Sequence, residues 1–433
     1  MAAADLSDRL RAAVEAPFRL RHDRGPGGCG VAVSGGGDSM ALLDAARLWV
    51  AGYGGMTLHA ATVDHGLRPG ADAEARLVAA WCADRGIPHE TLRVDLADGP
   101  DLPARARTAR YDALRAWAGR VRCGTVLLGH TADDVAETLL MRLERGVGVD
   151  GLARMPEWWR DGAGREWARP LLAFTRAELR GHLEARGIPW AEDPSNDDPR
   201  FERARVRRRI AEAGLSVPAL ARSAEALAEA AQSLDARVHA LAADVAGEAG
   251  DLLLPQPLVS TLRFEEPEAL RRLLAGALRW IGGARPRGAE LARLARSLMA
   301  STEHRWTLAG CLVTRSPAGR PPQTWRIARE PAACPPPVPL DEAWDGRWRV
   351  YPPEGWRAEH DAGAHTVGAL GDDLPPGHRV PGRPRETLLA SPAVRDAGGA
   401  LVAAPVAGIG AGWAWDLRPG FRDTLRPRRP VFR

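Results

Sequence analysis

The sequence predicts an α/β protein: a parallel sheet covered by helices, then a helical module, then a small and mostly β module. Three observations predict it. Short apolar runs rich in β-branched residues alternate with helical stretches over the first two hundred residues. From Val217 to about Leu298, Ala, Leu, Glu and Arg recur at helical spacing. The last hundred residues carry many Gly, Pro and Trp and only short apolar runs, such as Leu401–Val406. A chain of 433 residues has room for two or three cores of this kind, with boundaries expected at 1–213, 214–330 and 331–433.

The first module reads strand by strand. Strands are expected at Gly30–Val33, Thr57–Val63, Glu90–Val94 and Thr125–Leu128. Between and after them lie helices at Met40–Val50, Ala71–Arg85, Ala104–Gly119 and Ala132–Arg145. Such alternation builds βαβ units, and ligands of the resulting sheets bind beyond the carboxyl ends of the strands. Ser34, Asp64 and His130 follow strands directly or within a residue or two, so all three belong on that one edge. Further on, Arg305–Arg326 returns to strand-like text and Pro331–Pro339 reads as a linker.

Composition excludes several function classes. Hydrophobic content of 45% and charged content of 26% are those of a water-soluble globular chain. No apolar run reaches membrane-spanning length, and residues 1–24 lack the apolar core of a secretory leader, so no membrane association and a cytoplasmic location are expected. The five cysteines are scattered without a CxxC pair, which argues against a disulfide framework, a zinc ribbon or an iron–sulfur site. A net charge of +4 is a mild bias toward anionic partners. All 59 basic residues are arginine, so no lysine serves as a phosphate ligand, a general base or a Schiff base. Phosphate must be held by backbone N–H groups, arginines or a metal.

The strongest local signal is Ser34-Gly35-Gly36-Gly37-Asp38-Ser39, placed between a buried strand and a helix. Glycines let the backbone approach an anion, the helix N-terminus offers N–H groups, and Ser34 and Ser39 add hydroxyl donors. A carboxylate repels phosphate, so Asp38 makes sense if it holds Mg²⁺ that the phosphate also binds. The alternative is a plain turn in which Asp38 or Ser39 caps the helix. Neither a Walker loop nor a GxGxxG fingerprint is present.

His130, Asp133, Asp134 and Glu137 cluster at another helix start. Residues three and four apart share a helix face, so the acids form an anionic patch able to take the ammonium of a cationic substrate. Thr131 to Asp134 also resembles a capping box, which accounts for the first-turn acids but leaves Glu137, in the second turn, little to do. The run Arg203, Arg205, Arg207, Arg208, Arg209 is a candidate track for an RNA backbone; an ordinary solvated face is the alternative.

Ser34 to Ser39 after a strand resembles the PP-loop of the N-type ATP pyrophosphatases, which cleave ATP between the α- and β-phosphates and adenylate a substrate oxygen. Within that superfamily, four segments resemble the tRNA(Ile)-lysidine synthetases: Val63–Arg68, Ala106–Tyr111, Gly129–Thr138 and Glu192–Asp197, with Arg169-Pro170-Leu171-Leu172 between the last two. The match runs from about residue 28 to 210 in consistent order. The resemblance implies an adenine nucleotide α-hydrolase-like fold, ATP as substrate and Mg²⁺ as cofactor. It implies free L-lysine and a tRNA(Ile) with a CAU anticodon as partners, gripped by the two later modules, and is compatible with a homodimer.

By the same resemblance, Ser34, Gly35, Gly36, Gly37, Asp38 and Ser39 would hold the ATP phosphates, with Asp38 on the metal, and Asp64 and His65 would border the adenine. Asp134 and Glu137 would bind lysine, while Arg110 and His130 would approach ATP or the reacting cytidine. Outside that context Arg110 reads equally as an exposed helix charge. Arg203, Arg205, Arg207 and Arg208 would contact tRNA. The sequence departs from the family pattern at Ala204, where Asn is usual, and at Phe201, where Tyr is common. Thiolating and glutaminase-coupled relatives are disfavoured by the cysteine set, and a non-catalytic RNA-binding relative by the intact Asp38, Asp134 and Glu137.

Overall fold

A strand with a helix-covered neighbour on each side must be apolar on both faces, and β1 (Gly28–Ala32) is buried along its whole length. It belongs to a computed structural model that describes residues 2–19, 28–53, 55–66, 70–95, 99–192, 198–284, 286–300, 305–316 and 323–425. Two compact units divide the chain, the first running to Ala231 and the second starting at Gln232.

In the first unit, β1 is joined by β2 (Leu58–Asp64), β3 (His89–Arg93), β4 (Cys123–Leu128), β5 (Trp158–Arg160) and β6 (Glu166–Ala168). The sheet order is β3-β2-β1-β4-β6-β5. All pairs are parallel except that of β5 with β6. The chain leaves β1 toward β2 and returns on the other side at β4, so a topological switch point lies between β1 and β4. A ligand crevice is expected at the carboxyl ends of those two strands.

The helices are α1 (Ala2–Arg19), α2 (Gly37–Ala51), α3 (Ala71–Ala83), α4 (Leu102–Arg120), α5 (Ala132–Glu144), α6 (Val149–Leu152), α7 (Arg176–Ala185), α8 (Glu202–Glu212) and α9 (Val217–Leu241). One sheet face packs on α1, α2 and α7 through Leu10, Leu42, Trp49, Leu179 and Leu183. The other packs on α4 through Leu114 and Trp117. Each such side chain contributes roughly 1.5–3 kcal/mol by leaving water. The predicted strands and helices are all present with shifted ends, whereas α1, β5, β6, α6, α7 and α8 were not foreseen. Helix α2 starts at Gly37 rather than near Ser39, because Gly36 is its N-cap and makes no side-chain cap bond.

The almost purely helical stretch expected from Val217 to about Leu298 is corrected in the second unit. Strands β7 (Ala246–Glu248) and β8 (Asp251–Pro255) interrupt it before α10 (Gln256–Glu265), α11 (Pro267–Gly282) and α12 (Gly288–Ala300). They join β9 (Arg305–Leu308), β10 (Cys311–Arg315) and β11 (Thr324–Arg329) in an antiparallel sheet ordered β7-β8-β11-β10-β9. The three leucines of β8 suit helix and strand alike, and pairing with β11, seventy residues away, decides between them. The Pro-rich linker expected at Pro331–Pro339 ends in a short strand, β12 (Val338–Pro339), that pairs with Thr366–Ala369. The remaining C-terminal strands form small antiparallel sheets around Trp344 and Trp348, matching the mostly β expectation. Among the described residues no helix is long and apolar enough to cross a membrane.

Candidate active site

The glycine-rich loop leaves β1 at the switch point. Gly35 adopts φ +90°, where a Cβ would also press on Glu74 at 3.2 Å, so this turn requires glycine. Ser39 locks the turn: its Oγ donates to the Gly36 carbonyl at 2.8 Å and accepts the Ser34 N–H at 3.1 Å. The Ser34 hydroxyl lies 3.2 Å from that of Ser39. Neither Asp38 nor Ser39 is the helix cap, so the plain-turn alternative loses its support. Gly129, after β4, lies so close to the loop that a Cβ would sit 3.1 Å from the Ser39 Cα. The loop's other flank is tied to the chain before Glu192, where the Ala191 N–H donates to the Gly35 carbonyl at 2.9 Å. Asp193 to Asp197 of that segment, and Leu67 and Arg68 of the Val63–Arg68 segment, lie outside the described residues.

Asp38 stands in the first turn of α2, facing the acids of α5 across the crevice. Thr131 caps α5 in a full capping box: the Asp134 carboxylate Oδ2 accepts from the Thr131 N–H at 2.9 Å and from its hydroxyl at 3.1 Å. Capping therefore uses one oxygen of Asp134, and the other faces the site. Glu137 is 1% exposed, and its Oε2 is buried with no hydrogen-bond partner. An unpaired buried carboxylate oxygen is costly in a finished core and is what a cation-binding site leaves open.

Arg176, the first residue of α7, fills the space between these acids. Its Nε meets Asp38 Oδ2 at 3.2 Å, Nη2 meets Asp134 Oδ1 at 3.0 Å, and Nη1 meets Glu137 Oε1 at 2.6 Å. Its backbone N–H donates to Asp133 Oδ2 at 2.8 Å. Two further arginines arrive from α8: Arg207 Nε at 2.9 Å from Glu137 Oε1, and Arg203 Nη1 at 3.6 Å from Asp134 Oδ1. The cluster perturbs its members. Burial pushes the Asp38 carboxyl up to about 6, with the Arg176 charge pulling the other way. Burial pushes Asp134 the same way, but the Arg176 charge and the Thr131 N–H outweigh it and hold the group below its ordinary value.

Beside the acids lies a cleft of ≈ 220 Å³ lined by His65, Ala106, Arg107, Arg110, Tyr111, Leu128 and His130. Three of the sequence-predicted residues thus share one wall. Burial lowers the pKa of Arg110, contrary to an exposed helix charge. Burial, then the Arg169 charge, pushes His130 down to about 3, so its imidazole is neutral. Buried Nδ1 atoms of both His65 and His130 have no hydrogen-bond partner. Asp64 is not part of this wall, and its Oδ1 accepts the Gly66 N–H at 2.9 Å. Arg169 stacks over Trp159 at 3.9 Å and donates to the Pro156 carbonyl, which makes it a support for the His130 wall.

Helix α8 splits the arginine run. Ala204, Val206 and Ile210 are buried, Arg203 and Arg207 reach the acids, and Arg205, Arg208 and Arg209 are exposed on other faces. Arg205 donates to the carbonyls of Pro199 and Arg200, and Arg209 pairs with Glu144. Phe201, the N-cap residue, is exposed. Arg176 is the residue that sequence reasoning missed. Its signal was an arginine at the first position of a helix opened by the Thr175–Glu178 capping box, where the dipole disfavours a cation unless acids wait opposite.

Among the described residues no group of three or more His, Cys, Asp or Glu side chains could hold a metal ion unaided. A cation at Asp38 therefore needs outside ligands, and phosphate oxygens on the loop fit that need.

The chain is similar to known proteins. A PP-loop domain family matches residues 10–213. The tRNA(Ile)-lysidine synthase of Ruegeria pomeroyi is 42% identical over 433 residues, covering 97% of each chain. That of Brucella anthropi is 38% identical over 384 residues, covering 84% of this chain and 82% of its own. Among solved structures, the U34-tRNA thiolase NcsA from Methanococcus maripaludis is 18% identical with a TM-score of 0.42, covering 52% of this chain and 80% of that one.

Proposed function

This chain belongs to the tRNA(Ile)-lysidine synthase family, and we propose that it joins free L-lysine to C2 of the wobble cytidine of a tRNA(Ile) with a CAU anticodon. The PP-loop domain and the lysidine synthase relatives support ATP-dependent modification of a tRNA wobble base. In the proposed reaction the cytidine 2-carbonyl oxygen attacks the ATP α-phosphate and pyrophosphate leaves. The lysine ε-amine then attacks C2 and AMP departs, leaving lysidine.

The observation that carries this reading is the meeting of a phosphate loop with an anionic pocket holding an unpaired buried carboxylate oxygen, that of Glu137. The loop amides and the N-terminus of α2 suit the triphosphate, and Asp38 suits a magnesium ion shared with it. Magnesium, when bound, would offset charge on the departing pyrophosphate. Asp134 and Glu137 give the anionic face for an ammonium group. The cleft between Tyr111, Arg110 and neutral His130 suits an unstacked pyrimidine, with the orphaned Nδ1 of His130 to hydrogen-bond it. Asp64 and His65 would stand near the adenine, and Arg203, Arg205, Arg207 and Arg208 near the RNA backbone. Holding three reactants in one crevice supplies the orientation that an intermolecular amination needs.

The test is incubation with ATP, magnesium, labelled lysine and the CAU-anticodon tRNA, followed by nucleoside analysis. Labelled lysidine together with AMP and pyrophosphate is expected. ATP–pyrophosphate exchange supported by xanthosine monophosphate and not by this tRNA would overturn the assignment.

A further inference from the structure

A guanidinium ion has a planar fork of donors, and most buried arginines spend it on one or two acceptors. Arg176 spends its three nitrogens on three different carboxylates from two elements: Asp38 on α2, and Asp134 and Glu137 on α5. It comes from a third element, α7. That helix is itself fixed: Asp133 accepts the Arg176 N–H, Thr175 and Glu178 close a capping box beneath it, and His182 and Arg186 bind the buried Asp44 of α2 at 3.0 and 2.6 Å. The fork is therefore held from behind as well as in front.

The allocation of oxygens is specific. Arg176 takes one oxygen of each acid. On Asp134 the second oxygen already serves the Thr131 cap, so that residue is fully committed to the frame. On Glu137 the second oxygen, Oε2, is buried and unpaired. With Arg176 in place, three of the four carboxylate oxygens of Asp134 and Glu137 have protein partners, and Glu137 Oε2 is the one left unpaired.

We propose that Arg176 is a positioning residue for the reaction: it clamps Asp38, Asp134 and Glu137 into one constellation, making Asp134 a fixed strut and Glu137 Oε2 the direct acceptor for the attacking amine. The inference rests on the lysine-transfer reading given above. Arg176 acts by setting the distance between the acid of the phosphate-loop helix and the acids of α5. A displacement of about 1 Å between reacting groups costs on the order of 100-fold in rate.

The test uses the full-length enzyme after wild-type lysidine formation has been measured, so that a failure confined to variants falls on Arg176 alone. Arg176→Ala and Arg176→Gln are followed by lysidine formation at varied lysine, with melting curves to certify folding. A fall in kcat of about 100-fold is expected, with the KM for ATP little changed. Adding millimolar guanidinium ion should restore a substantial part of the Arg176→Ala rate, because the ion refills the fork's place. Arg176→Lys should recover less, since an ammonium cannot span three carboxylates. Undiminished kcat in folded Arg176→Gln, or no response of folded Arg176→Ala to guanidinium, overturns the proposal. So would a gain in lysine affinity at unchanged kcat, which would make Arg176 a mere competitor for the acids.

Discussion

Replacing Asp44 by Asn tests the joint that seats α7 against the loop helix. Asp44 is 0% exposed. One oxygen accepts from Arg47 at 2.9 and 3.2 Å, and the other from His182 at 3.0 Å and Arg186 at 2.6 Å. Asparagine keeps the shape, loses the charge and turns an NH₂ group toward these donors. Breaking a buried ion pair by removing one partner costs about 3–5 kcal/mol. Both arginine side chains remain about a third exposed and can rehydrate, which reduces the expected loss to about 2–3 kcal/mol. At roughly 2–4 °C per kcal/mol for a domain of this size, the first unit's melting temperature should fall by about 4–12 °C near neutral pH.

The pH dependence follows from the direction of the Asp44 shift. Burial pushes its pKa up, but hydrogen bonds from His182 and Arg47 and the charge of Arg186 outweigh it, so the folded value lies below the ordinary one. A depressed acid contributes stability above its unfolded pKa, about 3.9, and loses it as pH falls through the folded value. The wild-type advantage over Asp44→Asn should therefore be full near neutrality and shrink in acid below about pH 4. Calorimetric melts of both proteins across that range decide it. A difference under about 1 kcal/mol at neutral pH, or one that grows in acid, would refute the argument.

Other expectations concern the reaction. Asp38→Ala should abolish ATP–pyrophosphate exchange, and full lysidine formation by that variant would remove its metal role. Glu137→Gln should raise the KM for lysine by about tenfold or more, the worth of a charge-assisted bond of about 1.5–3 kcal/mol, while leaving that for ATP nearly unchanged. Because burial and the Arg169 charge push the His130 pKa down to about 3, the imidazole is neutral at working pH and the pH–rate profile should show no limb near pH 6.5 that vanishes in His130→Asn. Binding of the tRNA should weaken by on the order of tenfold or more between low and physiological salt, and Arg205→Ala with Arg208→Ala should flatten that slope. A flat response in the unmodified protein would sink the arginine track.

The order of strands and helices in the first unit was legible because parallel-sheet strands are buried on both faces and advertise it as short apolar runs. The later strands were not. Leu252 to Leu254 carry text that serves a helix as well as a strand, and β8 exists because β11 offers it a ladder from a distant part of the chain. The helix α1 escaped notice for the opposite reason: its arginines and acids mask Leu10 and Val14, whose burial comes from packing on α2 and α7.

For the site, the residues alone determined that a phosphate loop stands at a strand end, that acids gather at the start of another helix, and that arginine must serve wherever a cation is needed. Local geometry is sufficient for these, since glycine dihedrals, helix starts and side-chain periodicity are properties of a few neighbouring residues. Only the tertiary structure decided which charges meet. It brought Arg176 from 138 residues away onto Asp38, set Arg207 against Glu137, and left Glu137 Oε2 unpaired. Charge pairing acts through space at about 3 Å and falls away with distance and solvent, so its partners are fixed by packing and leave little trace in sequence spacing.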